Sequence, residues 1–182
     1  MQKLIRFITM EEGKKLIAKE PDKKFKLAYA LALGSGLRLS EVLGYKNTDL
    51  KKVQTREFWK IKPLTPEQIN LKEHTIRVLG KGNKERITVT SPMLNETNIK
   101  MLPLKINRRM IQRRILKLGE SVLGRKITYH TLRHGFANFM VNEKNVPLPM
   151  VQSMLGHSRL DTTGIYTKSN PKQAIATAWE KF

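Results

Sequence analysis

The sequence predicts a mainly α protein with one small antiparallel β-sheet, an α+β fold, and three observations carry that expectation. Apolar residues recur at helical spacing in several segments that open on capping residues. One pair of β-rich runs, Thr75-Ile76-Arg77-Val78-Leu79 and Arg86-Ile87-Thr88-Val89-Thr90, flanks a glycine-rich turn. The chain has 182 residues, 40% of them apolar, enough for one packed core without cross-links.

The elements follow in order. Thr9 and Glu12 have capping-box spacing, so a helix should run from there to about Lys19 and stop at Pro21. Asp22 caps the next, whose Phe25, Leu27, Ala28, Leu31 and Ala32 form a broad apolar face broken by Gly34-Ser35-Gly36. Ser40 starts a short helix, leaving Arg38 at a helix–helix junction. From Asn47 to Asn70 the lysines and prolines favour loop, with Phe58-Trp59 and Ile61 as a short strand or packed turn and no assignable job for 51–70. The hairpin then carries Lys81 and Lys84 at or near its tip. A helix from Asn107 to about Leu118 turns Met110, Ile111, Ile115 and Leu118 inward and Arg108, Arg109, Arg113 and Arg114 largely outward. Further helices cover about Tyr129–Glu143, the stretch opened by Pro147 and Pro149 and ended by Gly156, and Pro171 to Trp179.

Charge narrows the partners. The 35 Lys and Arg against 15 Asp and Glu leave +20, which makes nucleic acid the natural partner and an anionic membrane surface the second. With no cysteine, disulfides, thiol catalysis and cysteine-rich zinc sites are excluded. No apolar run approaches a membrane span and Met1–Met10 has no signal pattern, so the expected setting is cytoplasmic and nucleoid-associated.

The chemistry-bearing residues are sparse and ordered. His130 and Arg133 stand three apart on a helix and share a face. Guanidinium clamps the non-bridging oxygens of a phosphodiester in transition, and Arg38 supplies a second clamp that Glu41 can orient. His157 follows a helix end, and Tyr166 is a nucleophile only where cations stabilise its phenolate. His130 and His134 have zinc-face spacing but lack a third ligand, so no metal is expected. The basic face Arg108, Arg109, Arg113 and Arg114, with Lys84 and Arg86 of the hairpin, is the candidate DNA-binding surface.

Together Gly36-Leu37-Arg38-Leu39-Ser40-Glu41, Gly80-Lys81-Gly82-Asn83-Lys84-Glu85-Arg86, His130-x-x-Arg133, Leu155-Gly156-His157 and Tyr166 nine residues later resemble the tyrosine recombinases, the phage-integrase and Xer-like family. The resemblance implies that family's catalytic-domain fold and a catalytic set of Arg38, Lys81, His130, Arg133, His157 and Tyr166. It implies site-specific strand cleavage and rejoining of double-stranded DNA through a 3′-phosphotyrosine, with no metal and no ATP. It also implies self-association, a tetramer on DNA, through the C-terminal segment. Residues 1–182 read as a single catalytic domain, the family's N-terminal core-binding domain being absent from the chain. Gly164 should loosen a helix by up to about 1 kcal/mol, an expectation of mobility near Tyr166. The alternatives are a type IB topoisomerase-like relaxing enzyme and a non-catalytic basic DNA-binding protein.

Overall fold

A computed structural model of the chain describes residues 7–47, 58–80 and 85–156, together with Ile175 and Trp179. The expected capping box is present at α1 (Met10–Lys19): Thr9 Oγ1 accepts from the Glu12 N–H and Glu12 Oε2 from the Thr9 N–H, both at 3.1 Å. Asp22 caps α2 (Lys23–Ser35) by accepting from the Lys24 N–H at 2.8 Å. Helix α2 is the axis of the domain and is buried almost all round, from Leu27 to Ser35 without interruption.

Helix α2 ends where the site begins. Gly36 takes a left-handed φ of 68°, and a Cβ there would lie 2.6 Å from the Phe136 ring and 2.9 Å from Leu155. Only glycine supplies both that turn and that close approach. The chain then enters α3 (Leu39–Leu43), with Arg38 rather than Ser40 at its start.

Between α3 and the main sheet lies a two-stranded antiparallel ribbon, β1 (Tyr45–Asn47) and β2 (Phe58–Ile61); of the two readings open for Phe58–Ile61, short strand or packed turn, the strand holds, and its partner at Tyr45–Asn47 was not expected. After a one-turn 3-10 helix (Pro66–Gln68) comes a three-stranded antiparallel sheet. Its strands are β3 (Ile69–Asn70), β4 (Thr75–Leu79) and β5 (Glu85–Val89), and the expected hairpin runs in register from Thr75↔Val89 to Leu79↔Glu85. Thr88 Oγ1 donates to the Ser35 carbonyl at 2.9 Å, fixing β5 to the end of α2.

The second half is helical: α4 (Glu96–Ile99), α5 (Arg108–Leu123), α6 (Tyr129–Asn138) and α7 (Leu148–Leu155), α6 running into a π-helical turn (Phe139–Glu143). Helix α6 lies against α2, with Leu132 and Phe136 fully buried and Tyr129 Oη donating to the Ala28 carbonyl at 3.0 Å. Burial pushes the Tyr129 phenol far above its usual value, so it stays a neutral donor. Of the last helix, Ile175 is buried in the core and the Trp179 ring stacks on His74 at 3.6 Å.

Helix α5 departs from the sequence reading at two positions: Met110, expected inward, is 48% exposed beside the first turn's arginines, and Arg114, expected outward, is drawn in. Arg108, Arg109 and Arg113 are exposed as expected, but Arg114 turns inward to Glu20, whose side chain is only 1% exposed. Its Nε and Nη2 meet Glu20 Oε2 and Oε1 at 3.0 and 2.7 Å, and its guanidinium lies 4.7 Å over the Phe25 ring. A buried carboxylate requires such a partner. Arg114→Ala should therefore destabilise the fold by about 1–3 kcal/mol, tempered by the solvent that reaches the arginine. Arg113→Ala should leave the melting temperature unchanged, and parallel thermal melts of the two variants check this.

Candidate active site

The site is organised around one buried carboxylate. Glu41, on α3, is 3% exposed and accepts four hydrogen bonds. Oε1 takes Arg38 Nη1 at 3.0 Å and Arg86 Nη1 at 2.7 Å; Oε2 takes the Arg38 backbone N–H at 2.7 Å and Arg86 Nη2 at 2.8 Å. Arg133 Nη1 lies 4.0 Å from Oε2. Burial pushes this carboxyl up, but the Arg86 hydrogen bonds and charge, with the Arg38 N–H and guanidinium, hold it below the usual carboxylate range. Three guanidiniums around one carboxylate leave two positive charges in excess.

The same three arginines meet the end of α7. A helix leaves its last carbonyls unsatisfied, and its C-terminus carries partial negative charge. Here Arg86 Nε donates to Met154 O at 2.7 Å, Arg133 Nη2 to Leu155 O at 2.7 Å and Arg38 Nη2 to Gly156 O at 3.1 Å. Arg133 Nη1 also donates to the Gly36 carbonyl, so it joins the turn after α2 to the end of α7. Burial, then the nearby Arg38 charge, push the Arg133 guanidinium down to about 10, which leaves it protonated at neutral pH.

The three differ in reach. The Arg133 and Arg86 side chains are 4% and 10% exposed, whereas Arg38 is 38% exposed while Nη1 and Nη2 each keep one internal acceptor. His130 stands exposed on the first turn of α6, its ring edge-on to His134 at 4.3 Å. Partial burial, then the charges of His134, Arg133 and Arg38, hold the His130 imidazole below its ordinary value. It is thus a neutral proton acceptor beside a cationic, anion-ready surface.

Of the residues picked from sequence, the structure gathers Arg38, Glu41, Arg133 and His130 at one end of the domain. Lys81, Lys84, His157, Tyr166 and the stretch around Gly164 lie outside the described residues. Among the described residues no three His, Asp or Glu side chains converge as metal ligands.

Arg86 is placed differently from the surface contact expected of it, its guanidinium ending on Glu41 and Met154. A signal for this was available in the hairpin alternation. Val78 pairs with Arg86 and Ile76 with Thr88, so Arg86 occupies the inward phase of β5, where a cation needs a buried carboxylate.

This arrangement of helices around a small sheet is the fold of tyrosine recombinase catalytic domains. The integrase of mycobacterium phage Brujita superposes with a TM-score of 0.64 at 20% identity, over 100% of this chain and 60% of that one. A XerH site-specific recombinase bound to its difH substrate gives 0.63 at 21%, over 100% and 56%.

The chain belongs to the phage integrase family, whose model matches residues 6–173. It is 32% identical to the tyrosine recombinase XerC of Thermodesulfovibrio yellowstonii, over 94% of this chain and 60% of the relative. The XerC of Mannheimia succiniciproducens is 34% identical, over 90% and 56%. The chain thus spans somewhat under two thirds of these relatives' length. They are recombinases, and the topoisomerase alternative is not favoured.

Two predictions follow from the carboxylate. Folded Glu41 holds on to its charge at a pH where the unfolded chain takes up a proton, so its contribution is present above about pH 4.3 and lost as pH falls through its depressed value. Glu41→Gln should cost about 3 kcal/mol at pH 7, with a gap to wild type that narrows in acid, read from denaturant melts across pH. Arg86→Ala should lower stability yet leave the salt dependence of DNA binding unchanged, because its charge is committed internally; fluorescence anisotropy against salt measures this.

Proposed function

We propose that this chain is the strand-cleaving and rejoining domain of a site-specific DNA recombinase. The observation that carries the reading is the arginine cluster on Glu41, with Arg38 open to an anion and neutral His130 beside it. A phosphodiester oxygen on the Arg38 edge meets a charge-assisted donor held in place before the reaction, the arrangement that stabilises a transition state most.

The chemistry balances without a cofactor. The Tyr166 oxygen attacks phosphorus, its proton passing to His130, and the new O–P bond forms as the bond to the 5′-oxygen breaks. Lys81 protonates the departing 5′-oxygen, leaving a 3′-phosphotyrosine and a free 5′-hydroxyl. Arg38, Arg133 and His157 stabilise the extra charge on the non-bridging oxygens. Attack by a 5′-hydroxyl of a partner strand reverses the step and exchanges strands; no ATP is consumed because the covalent link conserves the bond energy. Family membership and the order of these residues support the roles of Lys81, His157 and Tyr166.

Double-stranded DNA is the partner, consistent with +20 and with a Tn1549 transposon integrase of similar fold that was solved in complex with DNA. Exposed Arg108, Arg109 and Arg113 form a phosphate-binding face. Among the described residues no helix is long and apolar enough to cross a membrane, and the proposed setting is the cytoplasm, beside the nucleoid. A tetramer on DNA through the C-terminal segment belongs to the same proposal. In the single chain Ile175 and Trp179 pack on their own domain, so exchange between protomers would have to break the Trp179–His74 stack.

Covalent trapping on supercoiled plasmid in EDTA, quenched with SDS, tests the activity. Wild type should give a protease-sensitive adduct, and Tyr166→Phe none despite normal DNA binding. An adduct that persists in the variant, or that appears only with added metal, overturns the mechanism.

A further inference from the structure

Arg86 takes no step in the chemistry above, yet it stands behind both acceptors that hold Arg38. Among the described residues the Arg38 guanidinium donates twice, from Nη1 to Glu41 Oε1 at 3.0 Å and from Nη2 to the Gly156 carbonyl at 3.1 Å. An arginine side chain that is 38% exposed samples several rotamers unless such contacts select one.

Arg86 fixes the first acceptor directly. Its Nη1 and Nη2 fork onto Glu41 Oε1 and Oε2 at 2.7 and 2.8 Å, so two of the four hydrogen bonds that orient the carboxylate are its own. The second acceptor rests on the same side chain. Gly156 is left-handed, with a φ of 66°, and a Cβ there would lie 2.8 Å from Arg86 Cδ and 3.1 Å from Nε. The turn that ends α7 therefore lies directly on the Arg86 stem. Two residues earlier, the Met154 carbonyl accepts from Nε at 2.7 Å. With its side chain 10% exposed, Arg86 is enclosed between α3 and the end of α7 rather than presented to a phosphate.

We propose that Arg86 is a positioning residue for strand cleavage, setting the place and angle of Arg38 by holding Glu41 and the Gly156 turn against each other. This rests on the recombinase reading, in which Arg38 meets the non-bridging oxygens. Donors aimed beforehand at developing charge stabilise it most, and a misplacement of about 1 Å costs about 100-fold in rate. The role requires a guanidinium. Its planar fork meets both carboxylate oxygens while Nε keeps the helix-end carbonyl. An ammonium at the same position is a point charge, able to balance Glu41 but not to orient it.

The test is the single-turnover rate of covalent adduct formation by the whole chain on supercoiled plasmid in EDTA. Anisotropy of a fluorescein-labelled duplex of arbitrary sequence measures affinity in parallel. Arg86→Lys should lose about 100-fold in rate and keep its affinity within about twofold of wild type. Leu16→Ala, which opens a cavity in α1 remote from the arginines, supplies a fold loosened by another route and should keep the wild-type rate below its melting point. A double-mutant cycle with Arg38→Ala separates positioning from plain structural support. Acting through Arg38, Arg86→Lys should slow the Arg38→Ala background by less than about threefold. Arg86→Gln enters the same cycle as a second variant, and near-ultraviolet circular dichroism verifies that each is folded. Losses that multiply across the cycle overturn the proposal, and so does a folded Arg86→Lys that cleaves as fast as Leu16→Ala. Absence of a Tyr166-dependent adduct in wild type overturns the recombinase reading, and this proposal with it.

Discussion

The site depends on the burial of one carboxylate. Glu41 is almost wholly out of water, and an uncompensated charge there would cost several kcal/mol, so its ionised form requires the arginines around it. Those arginines come from parts of the chain that are distant in sequence: Arg38 from the turn after α2, Arg86 from β5 and Arg133 from α6. Satisfying Glu41 therefore also fixes where the sheet and two helices stand relative to one another. The contact that stabilises the fold is also the one that gathers the candidate site residues.

Helix α7 supplies the complementary half. Its last carbonyls would otherwise face the interior unsatisfied, and each of Met154, Leu155 and Gly156 takes a hydrogen bond from a different arginine of the cluster. Each guanidinium thus spends one edge on Glu41 or Gly36 and another on the helix end. Little of Arg133 and Arg86 remains exposed, whereas 38% of the Arg38 side chain does. A rigid cluster with one exposed cation is well suited to stabilising charge that develops late, since its donors need not reorganise during reaction.

Much of this was legible before any coordinates. The capping box at Thr9, the cap at Asp22, the hairpin and the stop at Gly156 are local signals, and local hydrogen bonding decided them. The candidate residues Arg38, Glu41, His130 and Arg133 were legible from their ordered motifs, and the structure brings them together. Of the ribbon, only the possible strand at Phe58–Ile61 is legible; its partner Tyr45–Asn47 is not, because the strands are three and four residues long and hold together by pairing across a ten-residue gap. Helical periodicity puts Arg114 on an outer face but does not reveal the buried Glu20 opposite it, and the alternation that turns Arg86 inward does not say that Glu41 waits there.

By itself the sequence determined the class of fold, the large excess of positive charge and the ordered family motifs, since these follow from composition, short-range periodicity and motif order. Only the tertiary structure decided which arginines are free. Charge is counted along the chain, but its availability is set by desolvation and by partners at long range. Arg114 is drawn in by Glu20 and Arg86 by Glu41, whereas Arg38 retains a solvent-facing edge. That distinction separates arginines whose charge is spent inside the protein from those that keep access to solvent.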